Sequence, residues 1–313
     1  MAAIEPAWIA LDWGITRARA WALSEAGEVL ASNDSTRGMG TLTQAAYAGS
    51  LLDLIGAWLD PEHPTEVWAC GMVGSRQGWV EAPYTPVPAT AADLAVGAVS
   101  PSDTIPGALV HIVAGLCQHE PPDVIRGEET QVLGLLTGEP DFSGLVCLPG
   151  THSKWIQLQA GQFRSFRTAM TGELFQVIAK HTVLHHTVTT DWMSADGTAD
   201  DWAMFDRAVE RALRNPAGVA TSLFQSRAAS LVADEQPLAA SARLSGLLIG
   251  LELAAVRGWL TDTPDSAPVI CGAPTLVDLY QRALSALDLT ARPINAAGAV
   301  ISGLARIRAV RPT

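Results

Sequence analysis

The chain has 313 residues, 48% hydrophobic and 17% charged, with a formal net charge of −12 at pH 7. It holds no run of Lys or Arg, which argues against a nucleic-acid partner, and its four scattered cysteines argue against disulfides or a zinc module and for a reduced, cytoplasmic protein. The longest apolar stretch, 244–260, contains Glu252 and Arg257, so it reads as a buried helix and not as a membrane span.

A short apolar strand at 8–11 opens the chain and ends at Asp12. No signal peptide is expected before it. The polar turn 13–19 carries Gly14, Thr16, Arg17 and Arg19, and strands at 20–23 and 29–31 follow across an Ala26-Gly27 turn. A carboxylate at a strand end suits Mg2+, which is often held by one carboxylate plus waters and phosphate oxygens. Gly14 and Thr16 offer a backbone and a hydroxyl to phosphate, and Arg17 and Arg19 offer countercharge. Residues 43–59 read as an amphipathic helix, and 66–70 as a strand. That strand opens into the glycine-rich loop 71–79, where Arg76 suits a bidentate grip on a carboxylate and Gln77 and Trp79 stand beside it. The loop is expected to continue to residue 92. A strand at 109–113 comes next, and Pro121-Pro122-Asp123 reads as the breaker that ends the strand-rich part of a first lobe. Two adjacent carboxylates, Glu128 and Glu129, then follow Gly127 and precede an amphipathic run to Leu136. Such a pair fits two acids on a helix dipole, or a base acting on a hydroxyl beside a transferable phosphoryl group.

A buried strand, 145–148, runs straight into Pro149-Gly150-Thr151-His152-Ser153-Lys154. A Gly-Thr turn leaving a strand presents donors suited to phosphate, so Gly150, Thr151 and His152 are phosphate candidates, and Lys154 is placed to stabilise charge on a transferring phosphoryl group. Residues 145–166 repeat the opening of the chain. In each copy a tryptophan, Trp21 or Trp155, is followed six residues on by a glycine with alanine before it. This is an internal duplication of a three-strand meander, and it implies two like lobes facing one ligand. A helix is expected to start near Thr171, with Thr171 and Glu173 at a substrate-facing N-terminus. His181 and His185 stand four apart, but no glutamate accompanies them in the HExxH manner, and a helix end with solvated histidines is the better reading. Helices are expected at 205–213, 223–231 and 244–260. The strand 267–271 leads through Gly272 and Ala273 into a helix at 276–287. A glycine turn there lets a flat ring approach the backbone, so Gly272, Ala273 and Leu276 are adenosine candidates. A helix rich in small residues, 296–309, closes the chain.

Several segments together resemble one family. They are Leu11-Asp12-Trp13-Gly14-Ile15-Thr16-Arg17-Ala18-Arg19-Ala20-Trp21, Gly71-Met72-Val73-Gly74-Ser75-Arg76-Gln77-Gly78-Trp79, Arg126-Gly127-Glu128-Glu129-Thr130-Gln131, Leu148-Pro149-Gly150-Thr151-His152-Ser153-Lys154-Trp155, Met170-Thr171-Gly172-Glu173-Leu174-Phe175 and Leu244-Ser245-Gly246-Leu247-Leu248-Ile249-Gly250. In order and across nearly the whole chain they look like 2-dehydro-3-deoxygalactonokinase. The resemblance implies an α/β, ribonuclease-H-like (actin-like ATPase) fold of two duplicated lobes, each a mixed sheet flanked by helices, with an interlobe cleft. The lobes are expected at 1–138 and 139–313. It further implies MgATP-dependent phosphorylation of the 6-hydroxyl of 2-dehydro-3-deoxy-D-galactonate, in cytoplasmic galactonate catabolism. The segment 126–131 is similar in placement to the Gly-Asp-Gln-Gln segment of glycerol-kinase-like sugar kinases, in which the acid after the glycine is the base. That position is Glu128 here, with Glu129 close behind it, and the choice between them stays open. Ile15 departs from the usual Gly-Thr-Thr of the first turn and removes one hydroxyl; Thr16 remains. The alternatives are a kinase for another small sugar or sugar acid, such as the gluconate-derived one, and a non-catalytic ATP-binding regulator of the same fold. Sugar acid and ATP are the expected partners, and a homo-oligomer is left open.

Overall fold

The computed structural model describes residues 4–194, 197–262 and 267–311. The chain forms two compact units: Met1–Ser143 with Leu158–Ser165 and Asn295–Thr313, and Gly144–Gln157 with Phe166–Ile294.

In the first unit, strands β1 (Trp8–Trp13), β2 (Ala18–Leu23), β3 (Val29–Ser35), β4 (Thr65–Cys70) and β6 (Ala108–Ile112) form one sheet, in the order β3-β2-β1-β4-β6. A smaller sheet runs β5-β7-β8, from Tyr84–Pro86, Gly115–His119 and Pro122–Ile125. In the large sheet β1 and β2 pair antiparallel, as do β2 and β3, whereas β1, β4 and β6 run parallel. Alternation sets the buried face: Ala18, Ala20 and Ala22 point into the core while Arg19 is exposed. Helices α1 (Tyr47–Ile55), α2 (Ala91–Val96) and α3 (Glu128–Gly138) complete this part of the chain.

Three expectations are corrected here. The 43–59 helix is α1 alone, with single 3-10 turns at Gln44–Ala46 and Gly56–Trp58. The supposed loop 84–92 holds β5 and the start of α2, whose Thr90 and Asp93 form a capping box. The proline pair does not end strand structure: Pro121 lies in the turn of the β7–β8 hairpin and Pro122 is the first residue of β8, paired with His119. Pro122 is tolerated because β8 is an edge strand, where a missing N–H costs little.

A second sheet is formed by β9 (Gly144–Leu148), β10 (Ser153–Gln159), β11 (Gln162–Ala169), β12 (Val269–Cys271) and β13 (Arg292–Ile294), in the order β11-β10-β9-β12-β13; its residues belong to the second unit except for the stretch Leu158–Ser165, which counts with the first. This is the order of the first sheet, element for element: a meander at one side and two later parallel strands at the other. The duplication read from Trp21 and Trp155 is thus a duplication of topology. Helices α4 (Thr171–His181), α5 (Ala199–Arg214), α6 (Val219–Val232), α7 (Pro237–Asp262) and α8 (Pro274–Ser285) pack around it. Helix α7 is long and apolar enough to cross a membrane by length and composition, yet 72% of that stretch is buried inside the protein. Gly246 and Gly250 let it lie directly on α5, where a Cβ would stand 2.4 Å from the Phe205 carbonyl and 2.7 Å from that of Val209. The last helix, α9 (Ala296–Ala309), belongs to the first unit and packs on α3 in the same way, with Gly303 against Thr130 and Gly134 against Ala299.

Candidate functional site

In the first unit, β1 brings Asp12 to the end of the sheet, directly opposite Arg19 of β2. Arg19 Nη2 donates to Asp12 Oδ2 at 2.6 Å. Gly71, just after β4, has φ +95°, and a Cβ there would lie 2.8 Å from the Trp13 carbonyl and 3.5 Å from Asp12 Oδ1. Gly127 has φ +108° and would place a Cβ 3.1 Å from Gly71 Cα. Two glycines in left-handed backbone therefore stack, and they bring the head of α3 against the strand end that carries Asp12. The turn after β1 is closed by Gly14 N–H donating to the Arg17 carbonyl at 2.9 Å, so this amide is already used. Thr16 is exposed, and Arg17 reaches Asp34 at 2.7 Å on the surface.

The two acids at the head of α3 differ in burial. Both fold back onto the loop that precedes the helix: Arg126 N–H donates to Glu128 Oε2 at 3.1 Å, and Gly127 N–H donates to both oxygens of Glu129 at 2.9 and 2.7 Å. Glu128 is half-buried; Glu129 is 1% exposed. Burial, with Glu128 adding repulsion, pushes the Glu129 carboxyl up to about 7. Cys70 lies in the same buried cluster, its thiol pushed well up by burial and by Asp12 and Glu129. No group of three or more His, Cys, Asp or Glu side chains suited to a metal occurs among the described residues. A single carboxylate such as Asp12 still fits Mg2+, because that ion takes most of its ligands from water and phosphate.

The substrate-loop expectations divide. Arg76 and Gln77 are exposed, and Arg76 makes a 3.3 Å surface contact with Glu81. Trp79 is corrected: it is 2% exposed, stacks on Tyr47 with ring centroids 5.9 Å apart, and donates to Asp103 at 2.6 Å. It is a core ring that shapes the loop from beneath. The sequence reading missed Arg126, a buried guanidinium that donates to the Ala82 carbonyl at 2.7 Å and lies 4.2 Å over the Tyr84 ring. An arginine beside an acid pair was its only signal.

In the second unit, the turn 149–152 lies against the N-terminus of α4. A Cβ on Gly172 would stand 2.5 Å from the Gly150 carbonyl and 2.9 Å from Thr151 Cα. Thr151 and His152 are exposed, and His152 Nε2 pairs with Glu173 Oε2 at 2.6 Å. Lys154 is buried, and its ammonium donates to the His152 carbonyl at 2.7 Å, folded back on its own turn. Thr171 is buried and its hydroxyl donates to Glu252. A mostly apolar pocket opens beside the turn. Gly150, Thr171, Gly172, Trp192, Leu276 and Tyr280 are among the residues that line it. Of the three adenosine candidates Leu276 lines this pocket, while Gly272 packs on Pro149 and Ala273 is the N-cap of α8. The contributions of Trp192 and Tyr280 escaped the sequence reading, since nothing local marks them. His181 ends α4, and His185 lies in the 3-10 turn that follows, so the two do not share a helix.

The family model described as 2-keto-3-deoxy-galactonokinase matches residues 12–307. A protein of Rhizobium meliloti (strain 1021), named "Probable 2-dehydro-3-deoxygalactonokinase DgoK1", is 41% identical over 310 residues, covering 97% of this chain and 98% of its own. The 2-dehydro-3-deoxygalactonokinase of Escherichia coli (strain K12) is 35% identical over 288 residues, covering 91% and 92%. A crystal structure from Sinorhizobium meliloti, carrying the same kinase name as a provisional assignment, superposes with a TM-score of 0.87 at 40% identity, covering 98% of this chain and 100% of its own.

Proposed function

The chain belongs to the 2-keto-3-deoxy-galactonokinase family, and from that premise we propose how its residues divide the work of an ATP-dependent sugar-acid kinase. The reaction is transfer of the γ-phosphoryl group of ATP to the 6-hydroxyl of 2-dehydro-3-deoxy-D-galactonate, in the cytoplasm. The observation that carries the reading is the head of α3, where two carboxylates stand over paired left-handed glycines beside Asp12. We place the functional boundary at 138–139, after α3; the compact units themselves divide after Ser143, and α9 returns to the first.

Glu128 is the base that accepts the proton of the attacking hydroxyl. Its half-buried carboxylate is reachable, whereas Glu129 is enclosed and serves to hold the loop. Asp12 would hold Mg2+, which when bound neutralises charge on the nucleotide's phosphates. Thr16 and Arg17 of the first turn, which Gly14 closes through its N–H to the Arg17 carbonyl, and Gly150, Thr151 and His152 of the second bind those phosphates. Lys154 secures the second turn through the His152 carbonyl and adds positive potential at the transferring group. The pocket lined by Leu276 takes the adenine, and Gly272 and Ala273 shape the turn that leads into the helix carrying Leu276. Arg76 and Gln77 bind the carboxylate end of the sugar acid, and Glu173, tied to His152, faces the substrate from α4.

The test is a coupled ADP-release assay across a panel of 2-keto-3-deoxy acids and simple sugars. The galactonate-derived acid should give the highest kcat/KM. A gluconate-derived acid or a neutral sugar turning over faster would sink the substrate assignment.

A further inference from the structure

Helix α7 carries Glu252 into the core of the second unit, 4% exposed, with burial raising its carboxyl above the usual range. Buried carboxylates are rare, and they persist where several donors converge on them. Here three do. Trp155 Nε1, on β10, donates to Oε1 at 2.7 Å; Tyr280, on α8, donates to Oε2 at 2.8 Å; the Thr171 hydroxyl, at the start of α4, also donates to Oε2. With Tyr280's proton directed at Glu252, Ser153 Oγ, 2.7 Å away, must donate to the tyrosine oxygen. Ser153 is then left as an acceptor, and the Gly150 N–H points to it at 3.5 Å. A directed chain thus runs from Gly150 N–H through Ser153 and Tyr280 to Glu252.

Two of these donors, Thr171 and Tyr280, line the pocket, and so does Gly150 at the far end of the chain. The turn, the helix start and α8 are therefore oriented by one buried carboxyl group that does not itself line the pocket.

We infer that Glu252 is a positioning residue for nucleotide binding: it fixes the hydroxyls of Thr171 and Tyr280, and through Ser153 the Gly150–Thr151 turn, in the arrangement that receives ATP. This rests on the proposed reading of that turn and pocket as the nucleotide site. The role is preorganisation, because interior acceptors fix rotatable hydroxyls before a ligand arrives.

The experiment measures KM for ATP and for the sugar acid, together with Tm, in Glu252→Gln, Glu252→Leu, Tyr280→Phe and Thr151→Val. Tyr280→Phe keeps the ring and removes one link, so it should fold even where Glu252→Leu does not. Losing one such hydrogen bond predicts an ATP KM raised about fivefold in Tyr280→Phe, with a larger rise in Glu252→Leu than in Glu252→Gln. The sugar-acid KM should stay within about twofold. If Thr151→Val raises the ATP KM while Glu252→Gln and Tyr280→Phe leave it unchanged, the positioning role is overturned and the nucleotide reading stands. A lower Tm with both KM values raised equally also overturns it. If Thr151→Val itself leaves the ATP KM unchanged, the reading of the turn falls, and the inference falls with it.

Discussion

The two copies of the meander share strand order but handle charge in opposite ways. Two residues before the repeated tryptophan, the first copy has Arg19 and the second has Ser153. Arg19 is exposed, pairs with Asp12 and lies 5.8 Å from the half-buried Trp21 ring. Ser153 is fully buried, and Trp155 beside it gives its indole N–H to Glu252. One copy therefore ends in a wet ion pair next to the acids of α3. The other ends in hydrogen bonds organised over an enclosed carboxyl group. The lesson is that duplication preserves the backbone frame while the position two before the tryptophan sets whether the strand carries an exposed ion pair, as at Arg19, or a buried neutral hydrogen bond, as at Ser153.

Several variants would break or sharpen this contrast. The largest effect is expected in the first unit: Glu128→Gln should lower kcat by about 10²–10⁴-fold with ATP affinity unchanged, as for loss of a general base. Near-normal turnover, measured by ADP release, would move the base elsewhere. A smaller effect concerns stability. Because the Glu129 carboxyl is raised to about 7 in the folded protein, the native state holds its proton where the unfolded chain has released it. That stabilisation is complete below about pH 4.5 and is lost as pH rises through about 7, a swing of roughly 3 kcal/mol. Glu129→Gln should remove this slope from denaturant midpoints taken across the range; an unchanged slope would mean another group is responsible. Arg76→Ala should raise the sugar-acid KM by about tenfold and leave that of ATP nearly unchanged, the loss of one charge-assisted contact. The reverse pattern would show that the loop 71–79 does not read the sugar acid.

Much of this frame was legible beforehand because strands buried on one or both faces write themselves as short apolar runs. The repeat at Trp21 and Trp155 gave the duplication, and α9 was read at its observed bounds. What escaped was of two kinds. Strands β5, β8 and β13 are short and carry proline, so neither periodicity nor length marks them. Glu252 was visible only as a reason against a membrane span, since its partners lie as far as 97 residues away in sequence. Trp79 shows the converse: a ring in a polar, glycine-rich loop looks available, and only packing against Tyr47 shows that it is not.

The central proposal is that the two turns of common descent, after β1 and after β9, each bind phosphate oxygens of ATP. It is tested most directly by equilibrium binding of ATP and of AMP to Thr16→Val and Thr151→Val. Loss of a hydroxyl contact predicts ATP affinity lowered about fivefold in each variant, with AMP affinity within about twofold of wild type. Unchanged ATP affinity in either variant would contradict the account.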